Sequence, residues 1–203
     1  MYEKFIKGNK VERLEGFFPS SLKEMPIELN SLFDECGGNS FNDGVYRVYN
    51  EKLAIYWKEI IERHFSEYKG RIWPFASDWM GRLFAIDYQR INIIVVFDPA
   101  TVEVFEASNE LKTFHNVMLL NKDDDLLEAA KFREVMSFLG QTTLAFNNCL
   151  GFKKPLFLNG PDELDNLEII DVEVYWEFQV QIYNQIKDLP PGTKIDLTRF
   201  IRR

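Results

Sequence analysis

A chain of 203 residues is long enough to bury a substantial core, as one domain or two small ones. With 46% apolar and 28% charged residues it has the composition of a folded globular protein, which excludes large-scale disorder. The 24 Lys and Arg against 32 Asp and Glu leave a net charge of −8 (24 − 32), and the sequence pI is near 4.9. That balance argues against a nucleic-acid binder, because neutralising phosphates takes a basic face, and it suits either plain solubility or a cationic partner.

The opening stretch, MYEKFIKGNKVERLEG, is charged throughout and lacks the apolar run of a signal peptide. No later run reaches membrane-spanning length. After Pro19 and the capping residues Ser20 and Ser21, Leu22, Met25, Leu29, Leu32 and Phe33 recur at helical spacing, with the helix proper starting near Pro26. Gly37-Gly38-Asn39-Ser40 marks a boundary, and residues 44–49 alternate like a short strand. Leu53, Trp57, Ile60, Ile61, His64, Phe65 and Tyr68 then form one apolar stripe, with Gly70 as the stop.

From Arg71 to Ala107 the chain reads as a meander of four strands, RIWPFA, RLFAID, INIIVVFD and VEVFEA. Asp78, Gly81, Asp87 and Asp98-Pro99 supply the turns between them. Ile93 to Phe97 is continuously apolar, the pattern of a central strand buried on both faces. Two helices follow. Leu111, Phe114, Met118 and Leu119 mark the first; Leu127, Phe132, Val135, Met136 and Leu139 mark the second, stopped by Gly140. A loop holding Asn147, Asn148 and Gly151 leads to Pro155-Leu156-Phe157-Leu158. The last element carries two periods at once. Val172, Val174, Trp176, Phe178, Val180 and Ile182 alternate as in a strand, whereas Tyr175, Phe178, Ile182, Ile186 and Leu189 make a helical stripe. We read a short strand ending near Ile170, then a helix capped by Asp171 and ended by Pro190-Pro191-Gly192, with a basic tail beyond.

Chemistry is sparse. His64 and His115 are the histidines, and each sits within helical apolar spacing, where a packed, hydrogen-bonded imidazole is the ordinary outcome. An enzyme would need one of them beside a carboxylate or Cys149 in a cleft. Cys36 and Cys149 match no metal spacing and read as buried reduced thiols. Asp123-Asp124-Asp125 is contiguous, unlike the alternating ligands of an oxygen-lined cation loop, and serves better as acids at a helix start. No phosphate-cradling glycine loop is present, and neither Lys153-Lys154 nor Arg202-Arg203 makes a nucleic-acid patch. Asp78-Trp79-Met80-Gly81-Arg82 reads first as a tight turn. Its alternative role is a binding edge, with Trp79 as anchor and Arg82 paired to Asp78 or Asp87.

The most informative region is residues 151–192. Between Asp162 and Asp188 it holds eight acidic residues and a single Lys, interleaved with large aromatics. Aromatics supply contact area and carboxylates steer a basic partner, a mixture suited to a protein interface.

Several segments also look familiar. FNDGVYRVYN ahead of a Trp-containing helix, GRIWPFASDWMGRLFAID, FHNVML, NNCLGFKKPLFLNGPDELDNLEIIDVEVYW and LPPGTKI resemble the bacterial immunity proteins paired with type VI secretion DNase toxins. Those proteins carry a GAD-like region followed by a second, uncharacterised region. The likeness runs from about Pro19 to Ile195, and PFASDWMGRLFAID and KKPLFLNGPDELDNLE are its most specific parts. MPIELNSLFDECGG and DWMGRLFAID resemble, to a lesser degree, the SUKH superfamily of toxin-neutralising proteins. The resemblance implies a cytoplasmic binding protein without cofactor or metal, which occludes the active site of a cognate toxin. A nuclease toxin presents a basic cleft, so an acidic plug is complementary to it.

The expected fold is α+β, with a largely antiparallel central sheet flanked by helices. One compact unit spans 1–203, divisible if at all into 1–107 and 108–203. The expected partner is a basic protein toxin, a DNase, with no membrane and no direct nucleic-acid contact. Asp162, Glu163, Asp165, Glu168, Glu173 and Glu177 are the expected steering acids. Trp79, Tyr88 and Trp176 are the expected anchors, with Asp78 and Arg82 beside them. The alternative is a small-molecule or regulatory domain with an aromatic pocket near Trp73, Trp79 and Phe84.

Overall fold

The computed structural model describes residues 1–13, 26–91, 93–121, 126–190 and 193, without the side chain of Ile27. Expectations placed on Ser20 to Met25, on Asp123 to Asp125, on Pro191-Gly192 and on the basic tail lie outside these residues. The meander predicted over 71–107 is the centre of the molecule: β4 (Ile72–Asp78), β5 (Leu83–Asp87), β6 (Ile93–Asp98) and β7 (Glu103–Ser108). Upstream, β1 (Val11–Arg13), β2 (Asn39–Phe41) and β3 (Tyr46–Val48) extend it to a seven-stranded sheet in sequential order, antiparallel at every pairing.

Strand alternation sorts the core into two faces. Phe84 and Ile86 of β5 lie opposite Val96 and Ile94 of β6 and point to one face; Leu83 and Ala85 lie opposite Phe97 and Val95 and point to the other. The first face is covered by α1 (Glu3–Gly8), α2 (Ile27–Cys36), α4 (Leu111–Asn116) and α5 (Ala129–Phe138) through residues such as Phe5, Leu32, Phe114 and Phe132. The second is covered by α3 (Glu51–His64) and α6 (Val172–Ile186) through Trp57, Ile61, Tyr175 and Trp176. The fold is therefore α+β, an antiparallel sheet between two helical layers, and both cores draw on residues from either side of position 107.

Several elements depart from the periodic reading. Asn50 caps α3 by accepting from the Leu53 amide at 3.0 Å, but the helix stops at His64, short of Gly70. Phe65 leaves helical geometry because its ring packs edge-on against Phe97 and Trp176. Phe65 and Tyr68 thus extend the apolar stripe beyond the helix that started it. The helix expected through Leu119 ends at Asn116 and continues as a 3-10 turn over Met118–Leu120. Gly37-Gly38 is a turn leading into β2, not a domain boundary. The loop read around Asn148 and Gly151 is a strand, β8 (Asn148–Phe152), paired antiparallel with β9 (Leu167–Asp171).

The ambiguous last segment resolves as strand then helix. Asp171 closes β9 and caps α6, its Oδ1 accepting from the Glu173 and Val174 amides at 3.0 and 3.1 Å. Gly151 lets α6 close on the hairpin. A Cβ there would lie 2.6 Å from the Tyr175 ring and 2.8 Å from Ile170.

Candidate functional site

The turn after β4 is a fastening of the core, which corrects the idea of a binding edge. Asp78 and Trp79 are 0% exposed. Asp78 Oδ1 accepts from the Met80 and Arg82 amides, both at 3.0 Å, while Oδ2 accepts from Arg82 Nε. Gly81, at φ 79°, supplies the left-handed turn that brings Arg82 back onto Asp78. Trp79 packs at a tilt against Phe132, donates its indole N–H to the Leu127 carbonyl at 2.6 Å, and its own carbonyl accepts from the Leu150 amide at 2.7 Å. Trp176 is equally internal, its indole N–H donating to the Gly81 carbonyl at 2.8 Å. Asp78, Trp79, Arg82 and Trp176 are thus unavailable as partner contacts: the turn chemistry that makes them conspicuous also buries them. Trp73 and Phe84, around which an aromatic pocket was expected, are core residues too. Tyr88 remains at the surface, its hydroxyl tied to the Gly70 carbonyl.

The groups with potential reactivity are held inside. His115 is fully buried among Tyr2, Phe5, Tyr46, Phe75 and Phe114. Its Nδ1 lies 2.8 Å from the Leu111 carbonyl, which can only accept, so Nδ1 carries the proton and Nε2 accepts from the Tyr46 hydroxyl at 3.0 Å. Burial holds the pKa of this neutral imidazole down to about 4. His64 sits 3.2 Å from Glu177, which also pairs with Arg63 at 3.1 Å, so the three residues join the end of α3 to α6. Cys36 and Cys149 are buried free thiols; burial pushes Cys36 up to about 12 and Cys149 further in the same direction. Arg47, on the face covered by α3 and α6, is buried as well. It donates through Nη1 to the Asp78 carbonyl at 3.1 Å, with burial lowering its pKa to about 10.

The predicted acids are mostly at the surface. Asp162, Glu163, Asp165 and Glu168 are exposed on the hairpin formed by β8 and β9 and its connection. Asp162 pairs with Lys131 at 2.7 Å, and Lys153 donates to the Asp165 carbonyl at 2.7 Å. Glu173 is exposed on the first turn of α6, while Glu177 is half-buried in its pairing with Arg63 and His64. Exposed carboxylates also occur elsewhere, for example Glu12, Asp34, Glu67, Glu103 and Glu134. Exposed carboxylates are therefore not confined to residues 162–177, and local recognition depends on where carboxylates border aromatic surface.

A cleft of about 180 Å³ between the two helices on the second face brings them together. Tyr49 and Ser77 form its floor, Leu53, Tyr56 and Trp57 of α3 one wall, and Phe146, Asn147 and the start of α6 the other. Asp171, Val172 and Glu173 line it from α6. Tyr49 and Trp57 lie parallel, 10° apart with centroids separated by 6.4 Å, and Tyr56 packs edge-on to Trp57 at 5.9 Å. Tyr56 is exposed; hydrogen bonding to the Glu173 carboxylate, with a smaller contribution from burial, pushes its phenol up to about 12. The cleft exists because two helix N-termini, capped by Asn50 and Asp171, start beside each other on the sheet. Of its residues, sequence reasoning had singled out Glu173 alone as a contact; Asp171 was recognisable only as a cap. Tyr56 and Phe146 lie more than eighty residues apart, and nothing local to either marks their meeting.

No family model matches the chain, and no curated protein matches it. Among solved structures, the fold is similar to that of Atu4351 from Agrobacterium tumefaciens, with a TM-score of 0.55 and 13% sequence identity over 89% of each chain. At that identity the likeness is one of fold.

Proposed function

We propose that this chain is a non-catalytic, cytoplasmic binding protein of the immunity type, which neutralises a basic protein toxin, a nuclease, by occupying its active site. The observation that carries the reading is the aromatic cleft with Asp171 and Glu173 on its rim, set in a molecule of net charge −8. Acidic surface draws in a basic partner and aromatic surface gives it contact area once docked. The resemblance over Pro19 to Ile195 points the same way. The interior placement of His115, Cys36 and Cys149 also favours binding over catalysis, since none of them faces the cleft. Small-ligand pockets run to roughly 300–1,000 Å³. At about 180 Å³ this cleft fits a partner's side chain better than a whole metabolite.

Co-expression with a toxin encoded beside this gene tests the proposal. Cell survival together with a purified complex is the expected result; continued killing with no complex formed counts against it.

A further inference from the structure

We propose that the cleft between α3 and α6 is a socket for an arginine side chain of the partner protein, a reading that rests on the binding function proposed above. The exposed ring comes first. Tyr56 presents its ring at the mouth, edge-on to Trp57, while Tyr49 and Trp57 lie parallel to each other and nearly buried behind it. A planar guanidinium stacks on such an exposed ring and draws attraction from its face, which a compact ammonium does less well.

Size agrees. A cavity of roughly 150 Å³ accommodates a benzene ring, so about 180 Å³ admits a guanidinium and part of its stem.

Charge decides the sign. The N-termini of α3 and α6 contribute the equivalent of about half a positive charge each. Of the residues lining the cleft, Asp171 and Glu173 are the charged ones, and both are carboxylates. Arg47 carries its positive charge beneath the floor, where its Nη1 donates to the Asp78 carbonyl, so a cation is favoured at the rim beside the two carboxylates and not at the floor.

Hydrogen-bond acceptors are in place to receive it. The Asp171 cap uses Oδ1 alone, leaving Oδ2 uncommitted by the cap. Glu173 reaches the rim from one residue past the start of α6.

The test uses the whole protein and a tri-arginine peptide, followed by NMR through backbone amides and tryptophan indole signals. Saturable shifts centred on Trp57, Tyr56 and Glu173 are expected, with tri-lysine binding several-fold more weakly and tri-glutamate not at all. Glu173→Gln and Tyr56→Ala, both at exposed positions, should each weaken tri-arginine binding about fivefold or more. Shifts spread over the whole acidic surface without saturation would overturn the socket, as would affinity unchanged in both variants. The probe contains no toxin, so its failure leaves the neutralisation proposal standing. A cleft that takes the peptide in a protein that binds no toxin would count against neutralisation alone.

Discussion

Replacing Asp78 by Asn changes one atom of the buried turn and tests whether that turn is a structural fastening. Asn keeps an Oδ1 able to accept from the Met80 and Arg82 amides, but it puts an NH2 where Oδ2 now accepts from Arg82 Nε. Donor then faces donor, and the Arg82 charge, nearly buried, loses its counter-ion. Arg82 keeps its bond to the Leu126 carbonyl and a distant contact with Glu128 at 3.7 Å, neither of which replaces a buried carboxylate. Breaking a buried pair from one side costs about 3–5 kcal/mol. For a chain of this length each kcal/mol moves the melting temperature by roughly 2–4 °C, so D78N should melt roughly 6–20 °C lower.

Urea unfolding followed by circular dichroism gives the free energy directly. A cycle with Arg82→Met isolates the pair, for which a coupling of about 1–3 kcal/mol is expected. A loss below about 1 kcal/mol, or no coupling between the two positions, would refute the account of this turn as a buried charge-paired unit.

Gly151→Ala places a methyl group 2.6 Å from the Tyr175 ring and should destabilise by about 1–3 kcal/mol through overpacking, read as a lower urea midpoint at unchanged m-value. His115 is held neutral by burial, with a pKa of about 4 against an ordinary 6.5. Between those values the unfolded chain binds the proton and the fold does not, so stability falls as pH drops from 6.5 toward 4. The 2.5-unit gap corresponds to a loss of about 3 kcal/mol by pH 4, and His115→Gln should flatten that part of the stability profile in pH-dependent urea unfolding. Reversing Asp162, Glu163, Asp165 and Glu168 together to Lys should slow association with a basic toxin about tenfold at low salt, measured by stopped flow, with little change in dissociation.

The sheet was legible in the sequence because period-two alternation and Asp/Gly turns coincide in residues 71–107. The cap at Asp171 was legible for a similar reason: an Asp directly ahead of a helical stripe has few other uses. What failed to show had physical causes. β8 carries Asn148 and Gly151, poor strand formers, and it is a strand because it pairs along its length with β9, while the Tyr175 ring leaves no room for a side chain at Gly151. Trp79 and Trp176 stood out as anchors by residue type, yet a tryptophan whose N–H finds a carbonyl, Leu127 or Gly81, is equally suited to a core. The acidic segment was visible as composition, but the cleft was not. It depends on two helix starts, Asn50 and Asp171, brought side by side by the sheet, and no spacing within either segment encodes that approach.

Titration calorimetry of the purified protein against the toxin encoded beside its gene, run at low and high salt, tests the central claim most directly. The account predicts a one-to-one complex whose affinity falls as salt rises and which is weakened by Glu173→Gln. No heat of binding at either salt concentration, with the toxin still active in the mixture, would contradict it.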